Sequence, residues 1–275
     1  MDAELIDDRI RLDIKLVENG IFRTREKAKR NIEAGVVYVN GNKETKPSKK
    51  VDNDSEIKIN GDIEQYVSRG GLKLQKAIEY FNIHLKDKNT IDIGASTGGF
   101  TDCMLQNGAR HVIAIDSGSG QLADELRKNP AVTNIEKTNV RYLLPESLDY
   151  IADFACVDVS FISLGKIFSA VKSIIIDKGD IVCLIKPQFE AGKGNVGKNG
   201  VVKNPKTHIK VINNIVLLVI SNGFRINGIT FSPIKGPEGN IEYLIYITKT
   251  NSFGHCKYDL NYIENLVASA FKELK

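Results

Sequence analysis

The stretch Thr90-Ile91-Asp92-Ile93-Gly94-Ala95-Ser96-Thr97-Gly98-Gly99-Phe100-Thr101 constrains this chain more than any other. Ile91 to Ile93 reads as the end of a buried strand, glycines and small residues follow, and Phe100 to Leu105 reads as a helix. Such a turn suits a ligand because glycines let it approach the backbone and the helix start offers unpaired N–H groups. The spacing is not the G-x-G-x-x-G of dinucleotide sites. A second strand, His111 to Ile115, ends in Asp116, about 20 residues on, where a carboxylate can accept hydrogen bonds from ribose hydroxyls. The bland alternative is a structural turn without a ligand; two glycine positions in tandem with Asp116 weigh against it.

The pattern Asp-x-Gly-x-x-x-Gly-Gly, then Ile-Asp, resembles the S-adenosylmethionine site of Rossmann-like methyltransferases. The resemblance implies cofactor contacts from Asp92, Gly94, Ala95, Ser96, Thr97, Gly98, Gly99, Phe100, Asp116 and Asn139.

A chain of 275 residues has room for two domains, one with a sizeable core. No apolar run is long enough to span a membrane, and Met1 to Arg9 is too charged for a signal peptide. Cys103, Cys156, Cys183 and Cys256 lack Cys-x-x-Cys spacing, and the histidines do not stand near them at ligand spacing. No metal site and a reducing, cytoplasmic location are therefore expected, with Cys156 and Cys183 as small core residues.

The net charge of +4 is mild, but its distribution is not. Between Arg23 and Lys50 nine basic residues (Arg23, Arg25, Lys27, Lys29, Arg30, Lys43, Lys46, Lys49, Lys50) face three acidic ones, Glu26, Glu33 and Glu44. The same region reads as a small α+β unit. A helical stripe Ile10, Leu12, Leu16, Val17 closes at Gly20, and Thr24 caps a helix Arg25 to Glu33. Val36 to Val39 is a strand before the Asn40-Gly41 turn, Lys43 to Val51 is irregular, and Glu56 to Ile59 is a closing strand. A solvated helix face is the bland account of the charge. Arg23, Lys27 and Arg30 share one helical face beside the loop lysines, which favours a phosphate backbone. With only Phe22 and Tyr38 interleaved, base stacking is not its main mode.

Arg11-Leu12-Asp13, Gly20, Thr24-Arg25, Ala28, Ile32, Gly35 to Gly41, Lys46-Pro47-Ser48 and Val51 resemble the RNA-binding module named after ribosomal protein S-four. Arg11, Arg23, Arg25, Lys27, Arg30, Lys43, Lys46, Lys49 and Lys50, with Arg69 beyond the module, then become the expected RNA contacts. The expected division is 1–60 for this domain, 61–67 for a short polar joint, and 68–275 for the catalytic domain.

In the larger domain a helix carries Leu72, Leu74, Ala77, Ile78 and Phe81. Strands are expected near 90–94, 111–115, 133–136, 153–157 and 181–185, and helices near 100–106, 119–128, 164–176 and 205–222. This alternation predicts a doubly wound, Rossmann-like α/β sheet. Phe224 to Phe231 and Asn240 to Thr248 should pair antiparallel, and the helix Asp259 to Leu274 should pack on the sheet.

Asp158 and Lys186 end buried strands, where a core rule would not place a charge. Glu242 begins the antiparallel final strand and Lys73 lies in the first turn of the helix before the first strand, so all four should share one sheet edge. Taken alone, Lys73 would be an ordinary surface lysine, and Glu242 a rim partner of Lys235. Together, through Ser68 to Leu74, Val157 to Phe161, Ile185 to Glu190 and Gly239 to Glu242, they resemble the catalytic Lys–Asp–Lys–Glu set of FtsJ-like ribose 2′-O-methyltransferases. With the basic module in front, the whole chain resembles the hemolysin A-like (TlyA) family of ribosomal RNA methyltransferases, although it lacks any tryptophan in the joint.

The resemblance implies S-adenosylmethionine as cofactor, no metal, and ribosomal RNA or ribosomal subunits as partner; a monomer is expected, though the resemblance does not fix the oligomeric state. It implies cytidines of the large subunit, with or without a site in the small one. Neither DNA nor a membrane is expected as a partner. A ribose hydroxyl must lose its proton as it attacks the sulfonium methyl group, and Lys186 is the candidate base. A lysine serves so only when neutral, a form favoured by desolvation or by a like charge such as Lys73. Asp158 and Glu242 would hold the lysines.

Gly192-Lys193-Gly194-Asn195-Val196-Gly197-Lys198-Asn199 nearly matches a phosphate-binding loop, but Asn199 stands where Ser or Thr is needed. It reads as a mobile Gly/Lys loop beside the site and within reach of RNA, or equally as a plain disordered loop. The rival functions are a non-catalytic ribosome-assembly factor, a membrane-active hemolysin and a base methyltransferase.

Overall fold

In the larger part of the chain the strand residues are apolar on both faces, as a sheet covered by helices on each side requires. A computed structural model describes residues 9–22, 24–61, 65–250 and 257–275, and the chain divides into two compact units between Gln65 and Tyr66. Asp62 to Glu64 of the expected joint, Arg23 and Cys256 lie outside the described residues. Tyr66 and Val67, expected in the joint, belong to the second unit: Tyr66 is buried and donates to Gln75 (2.8 Å), and the Val67 N–H donates to Asp102 (2.9 Å).

The first unit runs β1 (Ile10–Arg11), α1 (Leu12–Glu18), α2 (Arg25–Glu33), β2 (Val37–Val39), β3 (Asn42–Glu44), β4 (Lys50–Val51) and β5 (Ile57–Ile59). Thr24 caps α2 by accepting from the Lys27 N–H. Asn40 and Gly41 both take positive φ, and Val39 pairs with Asn42, so the turn makes a two-residue hairpin. The stretch expected to be irregular thus holds β3, paired to β2, and β4, paired to β1. Leu12, Leu16, Ala28, Ile32 and Val37 are fully buried in the core of this unit.

The second unit runs α3 (Gly70–Phe81), β6 (Asn89–Ile93), α4 (Gly99–Gln106), β7 (His111–Ile115), α5 (Asp124–Arg127), β8 (Val132–Ile135), β9 (Ala152–Val157), α6 (Phe168–Ser173), β10 (Ile175–Ile185), α7 (Pro187–Glu190), α8 (Pro205–Ser221), β11 (Phe224–Phe231), β12 (Tyr243–Lys249) and α9 (Leu260–Glu273). Among the described residues its sheet has seven strands in the order β11-β12-β10-β9-β6-β7-β8, parallel from β10 to β8, with β12 antiparallel to both its neighbours. Ile91, Ile93, Ile113, Ile115, Val157, Ile181 and Ile185 pack with α6, α8 and α9 on one face. Val112, Phe154, Cys156, Val182 and Leu184 pack with α3 and α4 on the other. Each such buried side chain contributes about 1.5–3 kcal/mol.

Two expected helices are shorter than the sequence suggests. The one near 119–128 shrinks to α5 because Gly120 takes a φ of +70° ahead of it. The one near 164–176 divides into a 3-10 turn, Leu164–Lys166, and α6. The β-branched Ile175 and Ile176 join β10 instead, which reaches Asp180 through an irregularity around Lys178 (φ +64°) and Gly179.

Candidate active site

Strands β6, β7 and β9 pair in parallel, so Gly94, Asp116 and Asp158 follow their last residues at one edge of the sheet. Ile185 is registered opposite Tyr243, which brings Lys186 and Glu242 to that edge as well. A cavity of about 560 Å³ opens there, and its wall includes Gly94, Ser96, Asp116, Asn139, Asp158 and Phe161.

Of the ten residues expected to meet a cofactor, Gly94, Ser96, Asp116 and Asn139 line this cavity, and the other six do not. Gly94 holds a φ of +85°, and a Cβ there would stand 2.4 Å from the Asp158 carbonyl oxygen. Asp116 accepts from the N–H groups of Ser96 (2.8 Å) and Gly118 (2.7 Å), which fixes the turn. A carboxylate has about four acceptor positions, so two stay available for a ligand's hydroxyls. Asn139 accepts from the Arg141 N–H at 3.1 Å.

Asp92 is sealed behind the turn, accepting from the Thr101 hydroxyl (2.6 Å) and from the Cys156 thiol. Burial pushes its carboxyl up to about 6 against the pull of those two donors. Gly98 and Gly99 serve packing: a Cβ at Gly98 would meet Leu126 at 2.2 Å, and one at Gly99 would meet Ser68 Oγ at 2.4 Å.

The four expected catalytic side chains form two ion pairs. Lys73 Nζ lies 2.6 Å from Glu242 Oε2, with both groups buried. The bland accounts of these two residues therefore do not hold here, since Lys73 is only 7% exposed and Glu242 takes Lys73 as its partner. Lys186 Nζ lies 2.5 Å from Asp158 Oδ1 and donates to Ser160 Oγ at 3.0 Å. Buried charges persist only when paired in this way.

Sequence reasoning missed what surrounds the second pair. Phe161 is 91% exposed at a φ of +64°, a conformation that disfavours a bulky side chain. Its ring packs on Phe189 with centroids 5.1 Å apart. Glu190 accepts from the Ser163 hydroxyl (2.7 Å) and the Leu164 N–H (2.8 Å), so α7 braces the loop after β9. Nothing in the spacing signals this; an aromatic residue after a strand reads as core.

The basic residues of the first unit are not a uniform patch. The buried Asp13 carboxylate accepts from Arg11 (2.9 Å) and Arg25 (2.9 Å). The hydrogen bond from Arg11 leads the causes that pull the Asp13 carboxyl down to about 2. Lys49 pairs with Glu44, Lys43, Lys46 and Lys50 are exposed, and Lys27 and Arg30 are half-buried. Arg69 is exposed at the start of α3 in the second unit. In the Gly/Lys loop, the 3-10 turn Lys193–Asn195 comes first and α8 starts only at Pro205, so the lysine and asparagine there do not open a helix as a phosphate-binding loop requires.

Residues 66–249 match the FtsJ-like methyltransferase model and residues 10–57 match the S4 domain model. The chain belongs to the TlyA family of FtsJ-like methyltransferases. It is 48% identical to YqxC of Bacillus subtilis, whose name describes an rRNA methyltransferase, over 86% of this chain and 85% of that one. It is 40% identical to the 16S/23S rRNA (cytidine-2′-O)-methyltransferase TlyA of Mycobacterium tuberculosis, over 87% of this chain and 90% of that one. A solved structure from Streptococcus thermophilus, named as a hemolysin, matches with 45% identity and a TM-score of 0.75, covering 97% of both chains.

Proposed function

We propose that this protein transfers a methyl group from S-adenosylmethionine to a ribose 2′-hydroxyl of ribosomal RNA, with cytidine as the target nucleotide. The observation that carries the proposal is the double pairing, Lys186 with Asp158 and Lys73 with Glu242, at the sheet edge beside the cavity. The cavity wall suits the cofactor: Asp116 offers acceptors for ribose hydroxyls at the end of β7, and Gly94 gives a close turn at the end of β6. S-adenosylmethionine supplies a methyl group already activated on sulfur. The chain supplies position and a base. Lys186 receives the 2′-hydroxyl proton as that oxygen takes the methyl group, Asp158 holds Lys186, and Glu242 holds Lys73.

Phe161, exposed on the rim, offers a face on which the target base can stack. Exposed Lys43, Lys46 and Lys50 of the first unit contact RNA phosphates. RNA is favoured over DNA because the accepting hydroxyl is one that DNA lacks. The protein acts as a monomer in the cytoplasm. Among the described residues no helix is long and apolar enough to cross a membrane.

The test is methyl transfer from labelled S-adenosylmethionine to purified ribosomal subunits that lack the modification, with wild type and Lys186→Ala compared and cofactor binding measured for both. Transfer to ribose by wild type alone, with equal cofactor binding, is the expected result. Methyl found on a base, or no transfer to either subunit by cofactor-bound wild type, would overturn the proposal.

A further inference from the structure

The Lys186 amine has three structural neighbours. Asp158 Oδ1 is 2.5 Å away, Ser160 Oγ is 3.0 Å away, and the Phe189 ring centroid is 5.9 Å away. A neutral amine carries two N–H bonds and one electron pair. With one N–H given to Ser160 and the Asp158 carboxylate close on another side, the directions open to the electron pair are restricted.

From this geometry we infer that Ser160 is a positioning residue that fixes the free electron pair of Lys186 toward the RNA hydroxyl. The inference rests on the assignment of Lys186 as the base. Asp158 alone does not impose that direction: its Oδ1 stands 2.5 Å from the amine as an ion-pair partner without hydrogen-bond geometry, whereas the bond to Ser160 is directional and limits rotation about Cε–Nζ. Ser160 itself is well placed to impose it. The Asp158 N–H is tied to the Ile93 carbonyl at 2.8 Å, and the far side of the loop is tied to Glu190 through Ser163 and Leu164. The serine hydroxyl therefore hangs from a segment anchored at both ends. Ser160 also lines the cavity, so the amine it holds is tied to the wall of the space where the reacting groups meet.

The reaction balances without a further reagent. The sulfur–methyl bond breaks and the oxygen–methyl bond forms, the ribose O–H electron pair stays on oxygen, and the proton goes to the Lys186 amine. Ser160 donates no proton in this step; it sets the amine's orientation.

The test uses the full chain and unmodified ribosomal subunits, with Ser160→Ala, Ser160→Thr and Lys186→Ala assayed side by side. Ser160→Ala is expected to lower kcat about tenfold, the effect of losing one hydrogen bond to an aligned group. KM for the subunit and the Kd for S-adenosylmethionine should stay within about twofold, a split that simple loosening of the fold would not give. Ser160→Thr, which keeps the hydroxyl, should restore kcat. An unchanged kcat in Ser160→Ala, or a loss traced wholly to weaker cofactor binding, would overturn the role of Ser160. If Ser160→Ala is unaffected while Lys186→Ala is inactive, only the positioning role falls. If Lys186→Ala still transfers methyl groups at the wild-type rate, the assignment of the base falls, and this inference with it.

Discussion

Lys73 and Glu242 stand 169 residues apart in sequence and meet at 2.6 Å, with side chains only 9% and 1% exposed. Removing one partner of such a pair leaves a buried charge uncompensated and costs about 3–5 kcal/mol, whereas replacing both with apolar groups can be neutral. Lys73→Ala is therefore expected to destabilise the second unit by that amount in urea unfolding. Lys73→Met combined with Glu242→Leu should recover most of the stability and none of the methyl transfer. A double variant that still methylates RNA would remove this pair from the catalytic set.

The glycine turn separates into a part that lines the cavity and a part that packs, and the two should fail differently. Gly94→Ala sets a Cβ against the Asp158 carbonyl at a φ of +85°, on the cavity wall. It should weaken S-adenosylmethionine binding by tenfold or more, on the order of 1.4 kcal/mol, as read by titration calorimetry. Gly99→Ala presses instead on Ser68 and the Gly71 N–H, away from the cavity. Its expected effect is a lower melting temperature, with cofactor affinity in the surviving folded protein nearly unchanged.

Much of this was legible in the sequence, for physical reasons that differ by element. The strands from Asn89 to Ile185 announce themselves because both faces are apolar. The convergence of Asp158, Lys186 and Glu242 followed from strand direction alone. The division of labour within the glycine turn was not legible. That Asp92 is sealed against Thr101, while Asp116 reaches the cavity, depends on which side of a turn each carboxylate leaves. Asp13 was equally hidden: its role between Arg11 and Arg25 arises from a fold-back of α2 that no local pattern encodes.

Asp13 gives the first unit an acid sensitivity. Its carboxyl, led down by the Arg11 hydrogen bond, lies near 2 in the folded chain against an ordinary 3.8. A lowered folded value means that the group's contribution is fully present above about 4 and is lost as pH falls toward 2. Wild type should therefore exceed Asp13→Asn in denaturant midpoint at pH 6, and the gap should close between pH 4 and pH 2. A gap that is constant over that range would mean that the carboxylate's charge contributes nothing to the unit.

Phe161 offers the sharpest separation of function from stability. The residue is 91% exposed, so truncation removes little buried area beyond the contact of its ring with Phe189. Its φ of +64° holds strain of about 1–3 kcal/mol, which glycine, having no Cβ, relieves and alanine does not. Phe161→Ala should therefore melt close to wild type, and Phe161→Gly should melt no lower than Phe161→Ala. If the ring carries a stacked base, its loss removes about 1–3 kcal/mol of interaction with RNA, a fall of roughly 5- to 150-fold in kcat/KM for the subunit. Phe161→Tyr, which keeps the stacking face, should stay near wild type. Binding of S-adenosylmethionine should be the same in all four proteins if the cofactor's ribose sits beside Asp116 as proposed, because the exposed ring lies on the cavity's rim. Full activity in Phe161→Ala would show that the strained, exposed aromatic does not hold the target base.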